Sequence, residues 1–371
     1  MEESKANPQD LNQYGKPLTG YFPKGSPIPP SLCSKHGPLT RSNNFHRIGP
    51  MKAFLTGGTG FIGSHLVDLL LARDVEVYLL VRNPDKETSL RQKKVHVLRG
   101  DLFSIPELPA GLDVVFHLAG KTRALKSGDY YTVNQEGTAS LFRSLLRKKD
   151  RPRVIFLSSQ AACGPSPEGG PVKESDPPRP IASYGRSKLR AEEEALKFKD
   201  EFPVGIIRAS AVFGPRDRDF LAYFKFVAQG IILAPRGSSA ASLVYVKDLA
   251  EALFRSARFD YASGEIFNIA DSRGYTWTEF GEAAAVALRK RCRKIMIPKG
   301  LVYLISLAYE TGYKLTRRPG LLTRDKYREM MKPGWLLDVS KAAAVLSFRT
   351  RYSLDQAVRE TISWYLAEGW I

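Results

Sequence analysis

The chain has 371 residues, 43% hydrophobic and 25% charged, a balance that suits a globular protein and excludes a disordered, collagen-like or disulfide-scaffold chain. Its 56 Lys and Arg against 38 Asp and Glu give a net charge of +18. The three cysteines, Cys33, Cys163 and Cys292, are far apart and form no Cys-x-x-Cys pair, which fits a reducing, cytoplasmic setting and speaks against a structural zinc site.

The basic excess is concentrated. From Val286 to Arg351 there are 16 basic and 4 acidic residues, densest at Arg289, Lys290, Arg291, Arg293 and Lys294. A solvated basic face is the plain reading. Attraction of a phosphate-bearing substrate or an anionic membrane surface comes next, and nucleic-acid binding last, because no groove-reading module is visible. No apolar run approaches the roughly 20 residues of a membrane span, and no secretory signal is evident at the start.

Residues 1–50 are rich in proline and lack periodicity, so they are expected to be a disordered, dispensable extension, with the fold beginning after Met51. Strands are expected at Ala53–Thr56, Glu76–Val81, Val95–Leu98, Val114–Leu118, Arg153–Ser158 and Val204–Arg208. Helices are expected at Gly63–Arg73, Asn134–Lys148 and Tyr184–Phe198. This alternation predicts an α/β fold, a doubly wound parallel sheet of the Rossmann type with helices on both faces. Beyond about residue 215 the pattern is irregular, with strand-like pieces at Leu243–Val246 and Ile266–Ile269. The division expected is a dinucleotide-binding domain over 51–235 and a smaller, mostly helical substrate-binding cap over 236–371, interleaved with the last sheet strands. A final helix is signalled by the capping-box pair Ser353 and Gln356 and by a stripe of Leu354, Ala357, Val358, Thr361, Ile362, Tyr365 and Leu366.

Between the first strand and the first helix lies Thr56-Gly57-Gly58-Thr59-Gly60-Phe61-Ile62-Gly63. Glycines at 57, 60 and 63 in a strand-to-helix turn let backbone N–H groups approach a pyrophosphate at a helix N-terminus. The dinucleotide contacts expected here run from Gly57 and Thr59 through Gly60, Phe61, Ile62 and Gly63. Arg82 stands nineteen residues after Gly63, at the strand end that meets the adenosine ribose. A guanidinium suits a 2′-phosphate, so NADP is favoured over NAD. Asp101 and Leu102 end the third strand where adenine contacts fall; Asp101 serves equally as a helix cap.

Tyr184 and Lys188 are spaced i, i+4 at a helix start, which puts both side chains on one face. A nearby ammonium is expected to bring the phenol down toward a working pKa. Ser158 and Ser159 end the strand before, where a hydroxyl can reach a substrate carbonyl or alcohol.

These pieces occur in one order. The glycine turn, His117-Leu118-Ala119-Gly120, Asn134 within Val133–Thr138, Ser158-Ser159, Tyr184-x-x-x-Lys188, Arg208–Pro215 and Val244–Ala250 together resemble the extended short-chain dehydrogenase/reductases of the NAD-dependent epimerase/dehydratase family. That resemblance implies Tyr184 as acid/base and Lys188 as its tuning residue and ribose ligand. It also implies Ser159 as the residue orienting the reacting C–O bond, and Asn134 as support for the proton relay. Leu118, Ala119, Gly120, Lys121 and Ser158 would line the cofactor. It further implies a small-molecule substrate and a homodimer through helices flanking the sheet.

Departures narrow the reaction. Gln160-Ala161 stands where similar dehydratases carry Asp-Glu, and Ser242 where many sugar-nucleotide epimerases carry a diphosphate-binding arginine, a task left to Arg216, Arg218 or Arg236. The terminal Trp364-Tyr365 and Gly369-Trp370 resemble the dihydroflavonol-reductase and 3β-hydroxysteroid-dehydrogenase-like branches, or simply pack a core. The expected activity is hydride transfer between NADP(H) and a secondary alcohol or ketone. The aromatic and apolar residues Phe220, Tyr223, Phe224, Phe226, Leu301, Tyr303 and Tyr309 point to a hydrophobic substrate. The rival readings are a sugar-nucleotide epimerase with tightly held cofactor and a non-catalytic cofactor-binding scaffold or redox sensor.

Overall fold

The computed structural model describes residues 50–371 except 88–89, 91, 168–169, 238, 317–323 and 333, and the side chains of 313–316. The expected disorder of residues 1–49 therefore lies outside the described residues.

The strands in chain order are β1 (Lys52–Thr56), β2 (Glu76–Val81), β3 (Val95–Arg99), β4 (Val114–His117), β5 (Arg153–Ser159), β6 (Val204–Ala209), β7 (Ala211–Phe213), β8 (Ile231–Pro235), β9 (Ala241–Tyr245), β10 (Glu265–Ile269), β11 (Gly274–Tyr275) and β12 (Arg293–Ile297). The helices are α1 (Phe61–Leu71), α2 (Gly128–Tyr131), α3 (Gly137–Leu146), α4 (Gln160–Cys163), α5 (Ser183–Leu196), α6 (Leu221–Ala228), α7 (Val246–Arg258), α8 (Trp277–Ala287), α9 (Lys299–Thr316), α10 (Arg324–Met331), α11 (Ser340–Val345) and α12 (Leu354–Ala367).

Seven strands form one sheet in the order β10-β6-β5-β4-β1-β2-β3, every pair parallel. Alternation along β1 supplies both faces of this sheet. Ala53 and Leu55 pack with Leu66 and Leu70 of α1 and Leu249 and Leu253 of α7. Phe54 packs oppositely, with Leu141, Phe142 and Leu145 of α3 and Ala191 and Ala195 of α5. Each such large apolar side chain taken fully out of water contributes about 1.5–3 kcal/mol, so the hydrophobic pattern fixes which helix covers which face. The chain runs outward from β1 through β2 to β3 and then returns to place β4 on the other side of β1. This reversal opens a crevice at the carboxyl ends of β1 and β4, the usual ligand position in such sheets.

The later strands divide. Ile266–Ile269 lies in β10, at the edge of the main sheet, so residues beyond 236 complete that sheet. Leu243–Val246 falls mostly in β9, which belongs to a separate three-stranded sheet, β11-β9-β7. Phe213, Phe224, Phe280 and Tyr365 pack there in a second core. The final helix starts with both capping-box bonds in place, Gln356 N–H to Ser353 Oγ at 3.3 Å and Ser353 N–H to Gln356 Oε1 at 3.1 Å. Leu366, counted in its apolar stripe, is 52% exposed in the last turn. The helix expected to begin at Asn134 starts earlier, at Gly128, and passes through a π-helical turn at Thr132–Glu136 before continuing as α3.

Candidate functional site

At the end of β1 the backbone of Gly57 is left-handed, φ +74°, and a Cβ there would sit 2.6 Å from the Ala119 nitrogen. A Cβ on Gly63 would sit 2.1 Å from the Gly57 carbonyl oxygen. Only glycines permit α1 to rest on this turn and the turn on the strand beside it. No side chain caps the first turn of α1, and Thr59 and Gly60 are exposed while Phe61 and Ile62 are half-buried. The residues therefore fit a pyrophosphate approached by backbone N–H groups and the positive end of the helix.

Arg82 is exposed immediately after β2, in the position the sequence assigns it. The cap reading of Asp101 does not hold, because no helix follows it. Its carboxylate instead closes a local turn, accepting Phe103 N–H at 2.8 Å and Ser104 N–H at 2.9 Å. Leu102 is buried in the core on the α3 side of the sheet, against Gly137.

A buried polar chain links the glycine turn to the π turn. Ala119 N–H donates to Thr56 Oγ1 at 3.2 Å, and Thr56 Oγ1 lies 2.7 Å from His117 Nδ1. His117 Nε2 lies 2.9 Å from Thr138 Oγ1, whose hydroxyl donates to the Asn134 carbonyl at 2.6 Å. Since the Thr138 proton is already used, His117 must donate from Nε2 and accept from Thr56 at Nδ1. Burial drives the imidazole pKa down to about 3, so it stays neutral and holds this tautomer. No local pattern around His117 signals this role, because its partners Thr56 and Thr138 lie on other elements.

Asn134 stands at the centre of the π turn, a local distortion often found at functional sites. Its Oδ1 accepts Lys121 N–H at 2.7 Å, and its Nδ2 donates to the Lys121 carbonyl at 3.1 Å and to Ser187 Oγ at 2.8 Å. It therefore ties the strand-end loop carrying Gly120 and Lys121 to α5. A Cβ on Gly120 would lie 3.2 Å from Asn134 Oδ1 and 3.9 Å from Lys188 Nζ. Gly120, Asn134 and Lys188 thus converge. Lys121 pairs at its side chain with Asp129 at 3.0 Å, and Leu118 N–H donates to the Thr56 carbonyl at 3.1 Å.

Tyr184 and Lys188 lie in α5 as expected. The Ser159 hydroxyl accepts Ala161 N–H at 3.2 Å and lies close enough to the Tyr184 phenol to favour its ionised form. Lys188 Nζ donates to the Leu157 carbonyl at 2.7 Å and sits 4.2 Å from the centre of the Phe156 ring. The expected lowering of the phenol by the amine is not what the geometry gives. Burial pushes Tyr184 up to about 12, against the influence of the nearby Ser159 hydroxyl, which favours the phenolate. Burial likewise pulls Lys188 down to about 7, against the attraction of Glu192. In both residues desolvation outweighs the charges nearby.

Ser158 turns away from this group. Its hydroxyl donates to buried Glu192, which also holds Arg208 through Nε at 3.0 Å and Nη2 at 2.7 Å. Any contact of Ser158 with a cofactor therefore falls to its backbone. Glu192 was missed, although it extends the Tyr184, Lys188 spacing by one more turn of the same face. Tyr130, with its ring 6.0 Å from Tyr184, and Glu329 of α10, which acts on the phenol as a charge, carried no sequence signal.

Of the aromatic residues expected to meet a substrate, Phe220, Tyr223 and Phe224 instead pack around Phe280, with ring centres 5.2–5.8 Å from it. They build the small-sheet core.

The model of the NAD dependent epimerase/dehydratase family matches residues 53–270, more than half of the chain, and the protein belongs to that family of NAD-dependent enzymes. Ceramide reductase of Caulobacter vibrioides (strain NA1000 / CB15N) is 28% identical over 323 residues, covering 85% of this chain and 95% of the relative. UDP-glucose 4-epimerase of Vibrio cholerae is 26% identical over 340 residues, covering 85% and 96%. Among solved structures, UDP-glucuronic acid 4-epimerase from Bacillus cereus in complex with UDP-glucuronic acid and NAD superposes with a TM-score of 0.69. It is 20% identical and covers 86% of this chain and 100% of that one, a likeness of fold. The related enzymes are named reductases, epimerases and decarboxylases, so the protein is an enzyme, and the scaffold reading falls away.

Proposed function

We propose that the protein is an NADP-preferring oxidoreductase that interconverts a hydrophobic ketone and its secondary alcohol. The carrying observation is the convergence of Lys188, Asn134 and Gly120 one helical turn from Tyr184, with Ser159 at the end of the neighbouring strand. The glycine turn, Ala119 and Gly120 would hold the dinucleotide, with Leu118 and Lys121 flanking it, Leu102 and Asp101 near adenine and Arg82 on the 2′-phosphate. When bound, that cofactor supplies or accepts the hydride.

The chain's own residues handle the proton. A substrate oxygen beside Ser159 accepts from its hydroxyl and is polarised. Tyr184, neutral because burial favours the phenol, donates its proton to that oxygen in reduction and takes it back in oxidation. Lys188 holds α5 to β5 through the Leu157 carbonyl, and in its charged form stabilises the phenolate left behind. Residues 51–235 supply the cofactor side and residues 236–371 the cap, with β10 shared.

The Caulobacter relative, named a ceramide reductase, supports a lipid-like ketone. A sugar-nucleotide epimerase finds support in the Vibrio relative, but three of the four diphosphate-binding positions are otherwise engaged, which leaves the exposed Arg236. Ser242 is buried and accepts Leu337 N–H at 3.1 Å. Arg216 is held by Asp68 at 2.7 Å, and Arg218 stacks on Trp370 at 5.2 Å. The test is a panel of long-chain ketones, steroid ketones and UDP-sugars followed by NADPH absorbance. Net NADPH oxidation with a hydrophobic ketone is expected. Conversion of a UDP-sugar without net cofactor change would overturn the proposal.

A further inference from the structure

The basic run at 289–294 takes no part in the site described above, and it leads through β12 into α9. That helix is apolar on its outer side. Val302 and Ser306 face inward and are buried, while Leu301, Leu304 and Leu307 project outward at 49, 60 and 40% exposure. A helix on a protein surface normally shows water its polar face; α9 does the opposite. The strand before it continues the pattern, with Ile295 and Met296 exposed in β12.

Charge accompanies this surface. Between Val286 and Ala308 there are six basic residues, Arg289, Lys290, Arg291, Arg293, Lys294 and Lys299, and no acidic one. All six are exposed. Lys294 pairs with Glu282, so most of the charge is available to a partner. No described helix is long and apolar enough to cross a membrane. Exposed leucines beside clustered cations are the composition of a segment that lies on an anionic bilayer, its apolar side chains among the acyl chains and its cations at the headgroups.

We propose that β12 and the outward face of α9 form a docking surface for an anionic lipid bilayer. Its position relative to the site gives the contact a purpose. Tyr303 of α9 packs on Tyr327 of α10 with ring centres 5.3 Å apart, and Glu310 binds Arg324 at 2.9 Å. From α10, Asp325 accepts the backbone N–H of Ser183 at 3.2 Å, one residue before Tyr184. A bilayer held on α9 thus lies one helix away from the phenol. The proposal rests on surface chemistry and is independent of the reaction proposed above, because vesicle binding requires no turnover.

The test is sedimentation of the full chain with vesicles of phosphatidylcholine alone or with phosphatidylglycerol added. Binding to the anionic vesicles, weakened by salt, and little binding to the neutral ones are expected. The triple variant Lys290→Gln, Arg291→Gln, Arg293→Gln should bind about 100-fold more weakly, at about 1 kcal/mol per surface cation. The variant Leu301→Ser, Leu304→Ser, Leu307→Ser should also lose binding, and these exposed changes leave the core intact. No sedimentation, equal binding to both vesicle types, or binding unchanged in both variants overturns the proposal. So does a leucine variant that binds vesicles normally but no longer self-associates in gel filtration, which would assign the face to a second copy of the chain.

Discussion

Asn134→Ala removes a side chain that makes three hydrogen bonds from a buried position, two to the Lys121 backbone and one to Ser187. Ser187 keeps its own bond, donating to the Tyr184 carbonyl at 2.7 Å. The Lys121 N–H and C=O are left without their side-chain partner, at about 1–3 kcal/mol for each buried group. The expected loss is about 3 kcal/mol, which at about 2–4 °C per kcal/mol lowers Tm by roughly 6–12 °C. Because the same bonds join the Gly120 loop to α5, kcat should fall about tenfold or more along with stability. Asn134→Asp retains the acceptor but turns the donor into a buried charge facing a carbonyl. It should be at least as damaging at neutral pH and recover partly in acid, where the protonated acid can donate again. Calorimetry and NADPH-coupled rates on the wild type and both variants check this. A Tm shift under about 1 °C with unchanged kcat would refute the role given to Asn134, since even one lost buried hydrogen bond costs about 1 kcal/mol.

Arg82→Asp should move cofactor preference from NADPH toward NADH, because it replaces the cation suited to a 2′-phosphate with an acceptor for the 2′-hydroxyl; an unaltered ratio of kcat/KM values discredits that contact. Lys188 has a folded pKa near 7 against 10.5 when unperturbed. Between those values the unfolded chain binds a proton the folded chain lacks, so wild-type stability should rise with pH from about 7 to 10 relative to Lys188→Met. Denaturant melts without added cofactor measure this. A difference independent of pH over that window would place the amine in water.

Legibility in the sequence followed how directly a residue type reports its environment. Gly57 and Gly63 were readable because no other side chain fits those backbone positions, and β1, β2, β4, β5 and β6 because strands covered on both faces leave short, nearly continuous apolar runs in the sequence. The pair Tyr184 and Lys188 was readable from helical spacing. The π turn at Asn134 was not, since a shift of backbone hydrogen bonds changes no residue type. His117 and Thr138 meet only once β4 and the helix after it have packed, so their partnership has no local signature. The direction of the Tyr184 shift was misjudged because the pattern shows a neighbouring amine but not the burial that outweighs it. Short β7 and β11, of three and two residues, carry too few residues for a pattern, and Phe220, Tyr223 and Phe224 suggested a substrate wall where three-dimensional packing makes a core.

Replacing Tyr184 with Phe removes only the hydroxyl through which the proton is proposed to pass. Turnover should fall by about 10²–10⁴, while NADPH affinity, followed by fluorescence titration, stays near wild type. Turnover maintained at the wild-type rate would contradict the assignment of this phenol as the acid.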